Sequence, residues 1–208
     1  MGKTKSELES LKYSTLLMYM YTNNIIDGID IEINTAVSDS SVSVERRNGV
    51  RVWRKQGERS FDFIIAEGIS RLASKPHITK FAKDFCNGAM VIPTEFKDRF
   101  DFTVGDHRIE AKVRSGKYTY DYFIDNGVMV DLTKQDEATI LYTQSSDGYG
   151  LFFSMNNATA TADTVSRMTT TDPTGELVHK DRAYFDVTDA IAIYSPEGER
   201  IIPKAQDL

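Results

Sequence analysis

The sequence predicts an α/β fold in which a central sheet is flanked by helices and an additional N-terminal helix and β-hairpin come first. Apolar residues recur at helical spacing near the N-terminus and again over 61–72. The stretch 99–114 instead alternates apolar and polar residues on both sides of Gly105-Asp106, and more strand-like sequence follows it. The chain has 208 residues, 40% hydrophobic and 27% charged, which is typical of a globular protein that needs no disulfide to hold a core.

The N-terminal part predicts a helix and then a hairpin. Thr4 and Ser6 are each followed three residues later by a glutamate, Glu7 and Glu9, which predicts two overlapping capping boxes, and the apolar face that follows predicts a helix ending near residue 24. Between residues 29 and 53 the apolar period changes to two, and Asn48-Gly49 is a strong signal for a hairpin turn. The hairpin and the segment after it are basic: Arg46, Arg47, Arg51, Arg54, Lys55 and Arg59. These cations either track phosphates or simply keep an edge strand from associating.

The rest of the chain predicts helices before the 99–114 hairpin and strands after it. Ser60 caps a helix over 61–72, and a shorter helical pattern from about residue 79 to 87 stops at Gly88. Strands are predicted at 138–143 and 149–154, a long surface loop at 156–175, and strand-like sequence again at 183–194. We expect one domain over 1–208, with an N-terminal elaboration at 1–59, a core at 60–155, and a Thr-rich loop with C-terminal strands at 156–208.

The 99–114 hairpin places acidic and basic side chains together. If Gly105 and Asp106 are the two central turn residues, Asp101 lies directly opposite Glu110, and Lys112 projects from the same face as Glu110. The other face is apolar and suited to packing against helices: Phe100, Phe102, Val104, Ile109, Ala111 and Val113. The hairpin is therefore expected to have one polar and one apolar face.

Two opposed carboxylates repel each other in an ordinary solvent-facing hairpin, and a divalent cation removes that objection. Mg²⁺ accepts carboxylate oxygens, keeps several waters and is completed by phosphate oxygens of a substrate. The Lys112 side chain would orient an attacking water, deprotonate it as a neutral amine, or as an ammonium offset the negative charge that gathers on a phosphate. This pattern indicates phosphodiester hydrolysis.

Asp101 followed by Ile109-Glu110-Ala111-Lys112 resembles the Asp…(Asp/Glu)-x-Lys signature of the PD-(D/E)xK nuclease superfamily, over roughly residues 60–144. The resemblance implies a restriction-endonuclease-like core with a central mixed sheet, in which a helix precedes a meander of strands. It implies one or two Mg²⁺ ions, with Mn²⁺ as a substitute, held by Asp101, Glu110 and the backbone carbonyl of Ala111. It also implies hydrolysis of DNA, as in restriction endonucleases, junction resolvases and phage exonucleases. Phe100 stands where the fuller signature has proline.

Two other acidic positions bear on this site. Some members of the superfamily add a glutamate from the helix before the sheet, and Glu67 is the matching position, although a solvated helix glutamate explains it as well. Glu95-Phe96-Lys97 is a second Glu-x-Lys sequence. It follows Pro93 within a charged run and lacks the apolar alternation of a central strand, so we assign the site to Glu110 and Lys112.

Several alternatives stay open at this point. The acids and the lysine would also occur on a solvated hairpin face where charges happen to alternate. A noncatalytic nucleic-acid-binding or assembly protein would keep the nuclease-like fold without the activity. For an enzyme, the expected partners are DNA and a second copy in a homodimer, with no membrane and no nucleotide cofactor, since the chain lacks a P-loop. The lone Cys86 and the polar N-terminus favour the cytoplasm.

Overall fold

A computed structural model describes residues 3–26, 45–47, 50–52, 61–94, 99–131, 137–157, 167–171 and 177–201. The chain divides into two compact units, and the division falls within a long helix. The N-terminal unit comprises Gly2–Ala73 and Glu95–Lys97, and the sheet unit comprises Ser74–Thr94 and Asp98–Leu208 together with Met1. None of the helices in these described ranges offers the long apolar run that crossing a membrane requires.

The N-terminal unit begins with two short helices, α1 (Lys5–Glu9) and α2 (Tyr13–Thr22), where the sequence predicted one. The first predicted capping box is confirmed, because the Glu7 N–H donates to Thr4 Oγ1 and the Thr4 N–H donates to Glu7 Oε2. The second, at Ser6 and Glu9, was wrong, because Ser6 lies inside the helix that Thr4 caps. The Ser10 hydroxyl then donates to the Glu7 carbonyl at 2.7 Å. Such side-chain bonds to the backbone compete with helix bonds, which accounts for the interruption that apolar spacing alone does not reveal.

The predicted hairpin of this unit is confirmed in its pairing. Strands β1 (Glu45–Arg47) and β2 (Val50–Val52) are antiparallel, and Arg47 pairs with Val50, so two residues connect them. Asn48-Gly49 itself and the basic residues from 53 to 60 lie outside the described residues. Phosphate binding by the basic hairpin therefore stays a prediction.

One helix, α3 (Phe61–Phe85), occupies the stretch for which the sequence predicted two. Pro76 lies inside it, and a proline lacks the N–H for one intrahelical bond. The side chains of Ile78, Phe81 and Ala82 are buried in the sheet unit, and this packing offsets that loss. The predicted stop is confirmed, because Gly88 has a φ of +72° and its N–H donates to the Ala82 carbonyl at 2.9 Å.

The sheet unit is built on a seven-stranded sheet. Its strands are β3 (Val91–Pro93), β4 (Phe102–Val104), β5 (His107–Val113), β7 (Ile140–Gln144), β8 (Gly150–Ser154), β11 (Ala192–Tyr194) and β12 (Arg200–Ile201). Across the sheet they follow the order β12-β11-β8-β7-β5-β4-β3. β5 and β7 are parallel and the other neighbours are antiparallel. The protein is therefore a mixed α/β fold with a large mixed sheet flanked by helices, as predicted at that level.

A helix and a second sheet of the same unit were not foreseen. Helix α4 (Tyr120–Asn126) lies between β5 and β6 (Val128–Asp131), and Thr119 caps it by accepting the Tyr122 N–H. β6 pairs with β10 (Leu177–Phe185), which pairs with β9 (Arg167–Thr171). The prediction of one loop over 156–175 was wrong, because β9 lies in it. The strand-like stretch 183–194 contains the end of β10, a 3-10 turn (Val187–Asp189) and β11.

Both faces of the seven-stranded sheet are covered by apolar groups. On one face, called here the α3 face, α3 packs against strand residues including Phe102, Ile109 and Phe152. On the other, called here the α4 face, buried residues of α4, β6 and β10 form a cluster with Leu141, Leu151, Phe153 and Ile193. A side chain on either face of a central strand is thus expected to be shielded from solvent.

His77 is a buried polar group on the α3 face, 4% exposed. Its Nε2 lies 2.9 Å from the Ser195 carbonyl oxygen, which accepts only, so Nε2 carries the proton. Nδ1 then accepts from the Tyr142 hydroxyl at 2.8 Å. Burial lowers the pKa of His77, the bond to Ser195 raises it, and the charge of Lys80 lowers it further. His77 is a core residue in its neutral form.

Candidate active site

The hairpin β4–β5 has the predicted turn and register. Gly105 has a φ of +56° and is the first central residue of a two-residue turn, a position that favours glycine in a type II′ hairpin. Phe102 pairs with Ile109, and Val104 pairs with His107. The side chains of Phe102 and Ile109 are buried on the α3 face.

Asp101 departs from the predicted cross-strand arrangement. The pairing of β4 with β5 ends at Phe102. The Asp101 N–H donates at 2.9 Å to the carbonyl of Ile109, whereas the sequence predicted that Asp101 lies opposite Glu110. Its carboxylate Oδ2 accepts the Ala111 N–H at 2.8 Å, so the side chain takes the place of a ladder carbonyl. Phe100 consequently packs on the α4 face, not beside Phe102 as predicted. Asp101 is held against β5 and is only 5% exposed.

Glu110 and Lys112 lie on the α4 face of β5. Glu110 pairs in register with Leu141 of β7, whose side chain belongs to the cluster on that face. The Lys112 Nζ lies 2.5 Å from Glu110 Oε1, and the lysine side chain is 37% exposed whereas that of the glutamate is 3% exposed. The face that was predicted to be polar therefore carries Glu110 and Lys112 but is covered by an apolar cluster, which the sequence did not predict. Two acids as deeply buried as Asp101 and Glu110 do not fit a solvated hairpin.

The backbone of Ala111 adds a third oxygen near Asp101. In a strand, the N–H and C=O of one residue point to the same neighbouring strand. Because the Ala111 N–H donates to Asp101, its carbonyl points to the same side of β5. Two carboxylates and a carbonyl form an all-oxygen set, which matches the hard ligands that Mg²⁺ takes. The residues present fit the implied ion.

Glu67 lies on α3 in the N-terminal unit, where it is half-buried. Among the described residues, no three His, Cys, Asp or Glu side chains form a group that could hold a metal ion. Mg²⁺ is commonly bound through one or two carboxylates and otherwise by water and phosphate, so a two-acid site does not need a third. A contribution from Glu67 stays a prediction.

Arg114 is a residue near this site that the sequence analysis missed. The Arg114 N–H donates to the Gln144 carbonyl at 2.9 Å, which continues the β5–β7 pairing by one residue. Side chains on one face of a strand recur every second residue, so the spacing that relates Glu110 to Lys112 also predicts Arg114 on the same face. Its guanidinium donates from Nη2 to the Met129 carbonyl at 2.9 Å.

Comparisons with known proteins give no relative for this arrangement. The chain matches no family model, no curated protein and no solved structure.

Proposed function

We propose that this protein is a metal-dependent nuclease with a restriction-endonuclease-like core, and that it hydrolyses phosphodiester bonds of DNA at Asp101, Glu110 and Lys112. The proposed cleavage would serve restriction, a phage-type reaction or repair. Duplex cleavage would favour a homodimer, because two strands need two catalytic centres or two successive events.

The observation that carries the proposal is the burial of two acids at β5: Glu110, which lies in this strand, and Asp101, whose carboxylate accepts the Ala111 N–H of the strand. The Lys112 ammonium lies 2.5 Å from Glu110. Burying an ionised carboxylate is costly even when it is paired or hydrogen-bonded, as Glu110 and Asp101 are, because the loss of hydration can exceed the gain from the partner. An apolar pair would stabilise the hairpin without this cost. The retention of two buried acids is thus best explained by a ligand that needs them.

The order of elements in the sheet unit supports the same proposal. Helix α3 is followed by β3, β4 and β5, three consecutive antiparallel strands. The resemblance implies this order of a helix followed by a meander of strands. β7 then adds to β5 in parallel, after the crossover that contains α4.

Each residue has a separate task in the proposed reaction. Asp101, Glu110 and the carbonyl of Ala111 would hold Mg²⁺. The ion, when bound, polarises the phosphodiester and makes water a stronger nucleophile. The Ala111 N–H fixes the orientation of the Asp101 carboxylate. Lys112 holds a proton at Nζ beside the site, where its charge would stabilise the extra negative charge of the transition state.

The direct test is cleavage by the full chain. Supercoiled, linear and single-stranded DNA are incubated with the protein in EDTA, in Mg²⁺ and in Mn²⁺, and products are separated on gels. We expect nicking or cutting only with a metal. Glu110→Gln and Lys112→Ala should each reduce the rate by 100-fold or more, about the size of an electrostatic or general-acid contribution.

Two control variants make this test specific. Lys97→Ala alters the second Glu-x-Lys sequence, and Asp106→Asn removes an exposed carboxylate from the turn of the same hairpin. Both should cleave at the parent rate. A parent that binds DNA but never cleaves it with either metal would contradict the nuclease and favour the noncatalytic binding protein. Cleavage lost equally in Lys97→Ala and Lys112→Ala would remove the assignment of the site.

A further inference from the structure

The segment that leaves β5 carries two cations, Arg114 and Lys117, beside the proposed catalytic residues. Arg114 lies two residues beyond Lys112 on the α4 face, about 6.6 Å farther along the strand direction at 3.3 Å per residue. Its guanidinium is fixed by the bond from Nη2 to the Met129 carbonyl. Lys117 follows three residues later and is exposed. Positive charge therefore continues from Lys112 past the end of the strand.

Two tyrosine rings hold these cations in place. The Lys117 Nζ lies 5.6 Å from the centre of the Tyr118 ring and 5.5 Å from that of Tyr122. The Arg114 guanidinium lies 5.8 Å from the centre of the Tyr118 ring, and the two rings meet edge to face at 5.2 Å. Such contacts orient a cation, but they leave its charge in place.

The segment between β5 and α4 is also tied to the rest of the sheet. The Ser146 N–H donates to the Tyr118 carbonyl at 2.8 Å, and Asp147 Oδ1 accepts the Tyr120 N–H at 2.9 Å. Ser146 and Asp147 belong to the turn between β7 and β8. The segment that carries the cations is thus anchored at the carboxyl ends of the parallel strands β5 and β7, the edge at which α/β sheets commonly bind ligands.

Among the described residues, no ion pair joins Arg114 or Lys117 to a carboxylate, whereas Lys112 is paired with Glu110. The Arg114 Nε is buried and has no hydrogen-bond partner within the described part of the chain. Burial lowers the pKa of Arg114, the nearby Tyr118 raises it, and the charge of Arg182 lowers it again. In a chain of net charge −6, positive charge without an acidic partner at one edge is suited to an anion.

We infer that Arg114 and Lys117 bind backbone phosphates of the nucleic-acid strand whose neighbouring phosphodiester lies at Glu110 and Lys112. This inference rests on the proposed function and names the path of the substrate strand away from that site. Three cations in succession along one direction match a chain of regularly spaced negative charges better than they match a single small anion. The strand thus leaves the site toward the segment between β5 and α4.

Binding without cleavage tests the inference. A fluorescent single-stranded oligonucleotide and a duplex of the same sequence are titrated with the full chain in EDTA at several salt concentrations. Each lost phosphate contact should reduce the slope of log K against log [salt] by about 0.7 for the single strand and about 0.9 for the duplex. We expect this reduction for Lys117→Gln. Arg114→Lys keeps the charge, so it should weaken binding with less change of slope.

Lys83→Gln is the matched control, because it removes an exposed lysine from α3, which covers the opposite face of the sheet. It should bind with the slope of the parent. A slope for Lys117→Gln equal to that of Lys83→Gln, or a parent that shows no salt-dependent binding, would overturn the inference. If the parent cleaves DNA and Lys117→Gln keeps the parent slope, only this inference fails. If the slope falls as expected and the parent never cleaves, the phosphate site stands and the nuclease proposal fails.

Discussion

Replacing Asp101 separates its hydrogen bond from the charge it brings to the site. Its Oδ2 accepts the Ala111 N–H at 2.8 Å in buried surroundings. Asp101→Asn keeps an oxygen that can accept this bond and removes the charge, whereas Asp101→Ala removes both. The two variants therefore report on different terms of the free energy of unfolding.

The expected magnitudes follow from the contacts of Asp101. Asp101→Ala leaves a buried N–H without an acceptor, which costs about 1–3 kcal/mol. At about 2–4 °C per kcal/mol for a chain of this size, the melting temperature should fall by roughly 2–12 °C. Asp101→Asn loses only the added strength of a charged acceptor, about 1 kcal/mol.

Thermal unfolding in EDTA measures the difference, and hydrogen exchange at the Ala111 amide locates it. We expect the parent and Asp101→Asn to melt within a few degrees of each other and Asp101→Ala to melt lowest. Exchange of the Ala111 amide should accelerate in Asp101→Ala and stay slow in Asp101→Asn. Added Mg²⁺ should then stabilise the parent more than either variant, because a ligand that binds only the folded state raises its stability by mass action.

Three results would refute this reasoning. Asp101→Ala melting with the parent, and with a protected Ala111 amide, would mean that the carboxylate does not hold that N–H. Asp101→Asn falling as far as Asp101→Ala would mean that the charge matters and the acceptor oxygen does not. Equal stabilisation of all three proteins by Mg²⁺ would remove Asp101 from the metal site.

Three other changes probe the site, a glycine and the core. Lys112→Ala should lose more stability than Glu110→Gln in urea unfolding. The first change removes the ammonium from beside a carboxylate that is 3% exposed, whereas the second leaves an ammonium side chain that is 37% exposed and can be hydrated. The reverse order would contradict the pairing. Gly127→Ala should destabilise the protein more than Gly116→Ala, although both glycines have positive φ. A Cβ at 127 would lie 2.7 Å from a backbone oxygen, whereas a Cβ at 116 would meet nothing within 4 Å. Equal losses of unfolding free energy, each about 1–2 kcal/mol from backbone strain alone, would count against the clash. The free energy of unfolding should fall as pH drops below about 6.5, because burial lowers the pKa of His77 and the unfolded chain then binds a proton that the folded chain does not. The variant His77→Gln should therefore lose less stability than the parent between about pH 7.5 and 5.5. If the pH dependence of the variant equals that of the parent, His77 is excluded as the cause.

Local sequence predicted the β4–β5 hairpin because its signals are short-range. Alternation over Phe102–Val104 and His107–Val113, with Gly105 at the turn, determines the register without any distant residue. The same holds for the capping box at Thr4 and for the helix stop at Gly88. These features depend on residues a few positions apart.

Elements that depend on distant packing were missed or misplaced. Pro76 interrupts the helical pattern in the sequence, but the buried face of α3 keeps the helix continuous through it. Tyr120 and Tyr122 favour strands by intrinsic preference, yet the Thr119 cap and the burial of Phe123 accompany a helix there. The second sheet joins β6 to β10, some fifty residues apart in the chain, and no local pattern announces such a pairing.

For the candidate site, the sequence predicted that Glu110 and Lys112 lie together, and it missed their surroundings. The spacing of Glu110 and Lys112 placed both on one face of β5, and the ion pair between them agrees with that. Strict alternation failed at Asp101, because the ladder ends there and the carboxylate replaces a backbone acceptor. The burial of Glu110 comes from α4, β6 and β10, elements that follow it in the chain and that the sequence analysis did not foresee.

The summed charge of the site predicts the order in which a divalent cation and a phosphodiester would bind. Two carboxylates and one ammonium give Asp101, Glu110 and Lys112 a sum of −1, which repels a phosphodiester. A divalent cation would change the sum to +1, and one phosphodiester charge would then bring it to zero. A buried group is least costly when its net charge is small, so the complete assembly is more favourable than any subset that lacks the cation. Without the metal, the strand would be held by Arg114 and Lys117 alone, and the phosphate would be drawn against Glu110 only after the ion is in place.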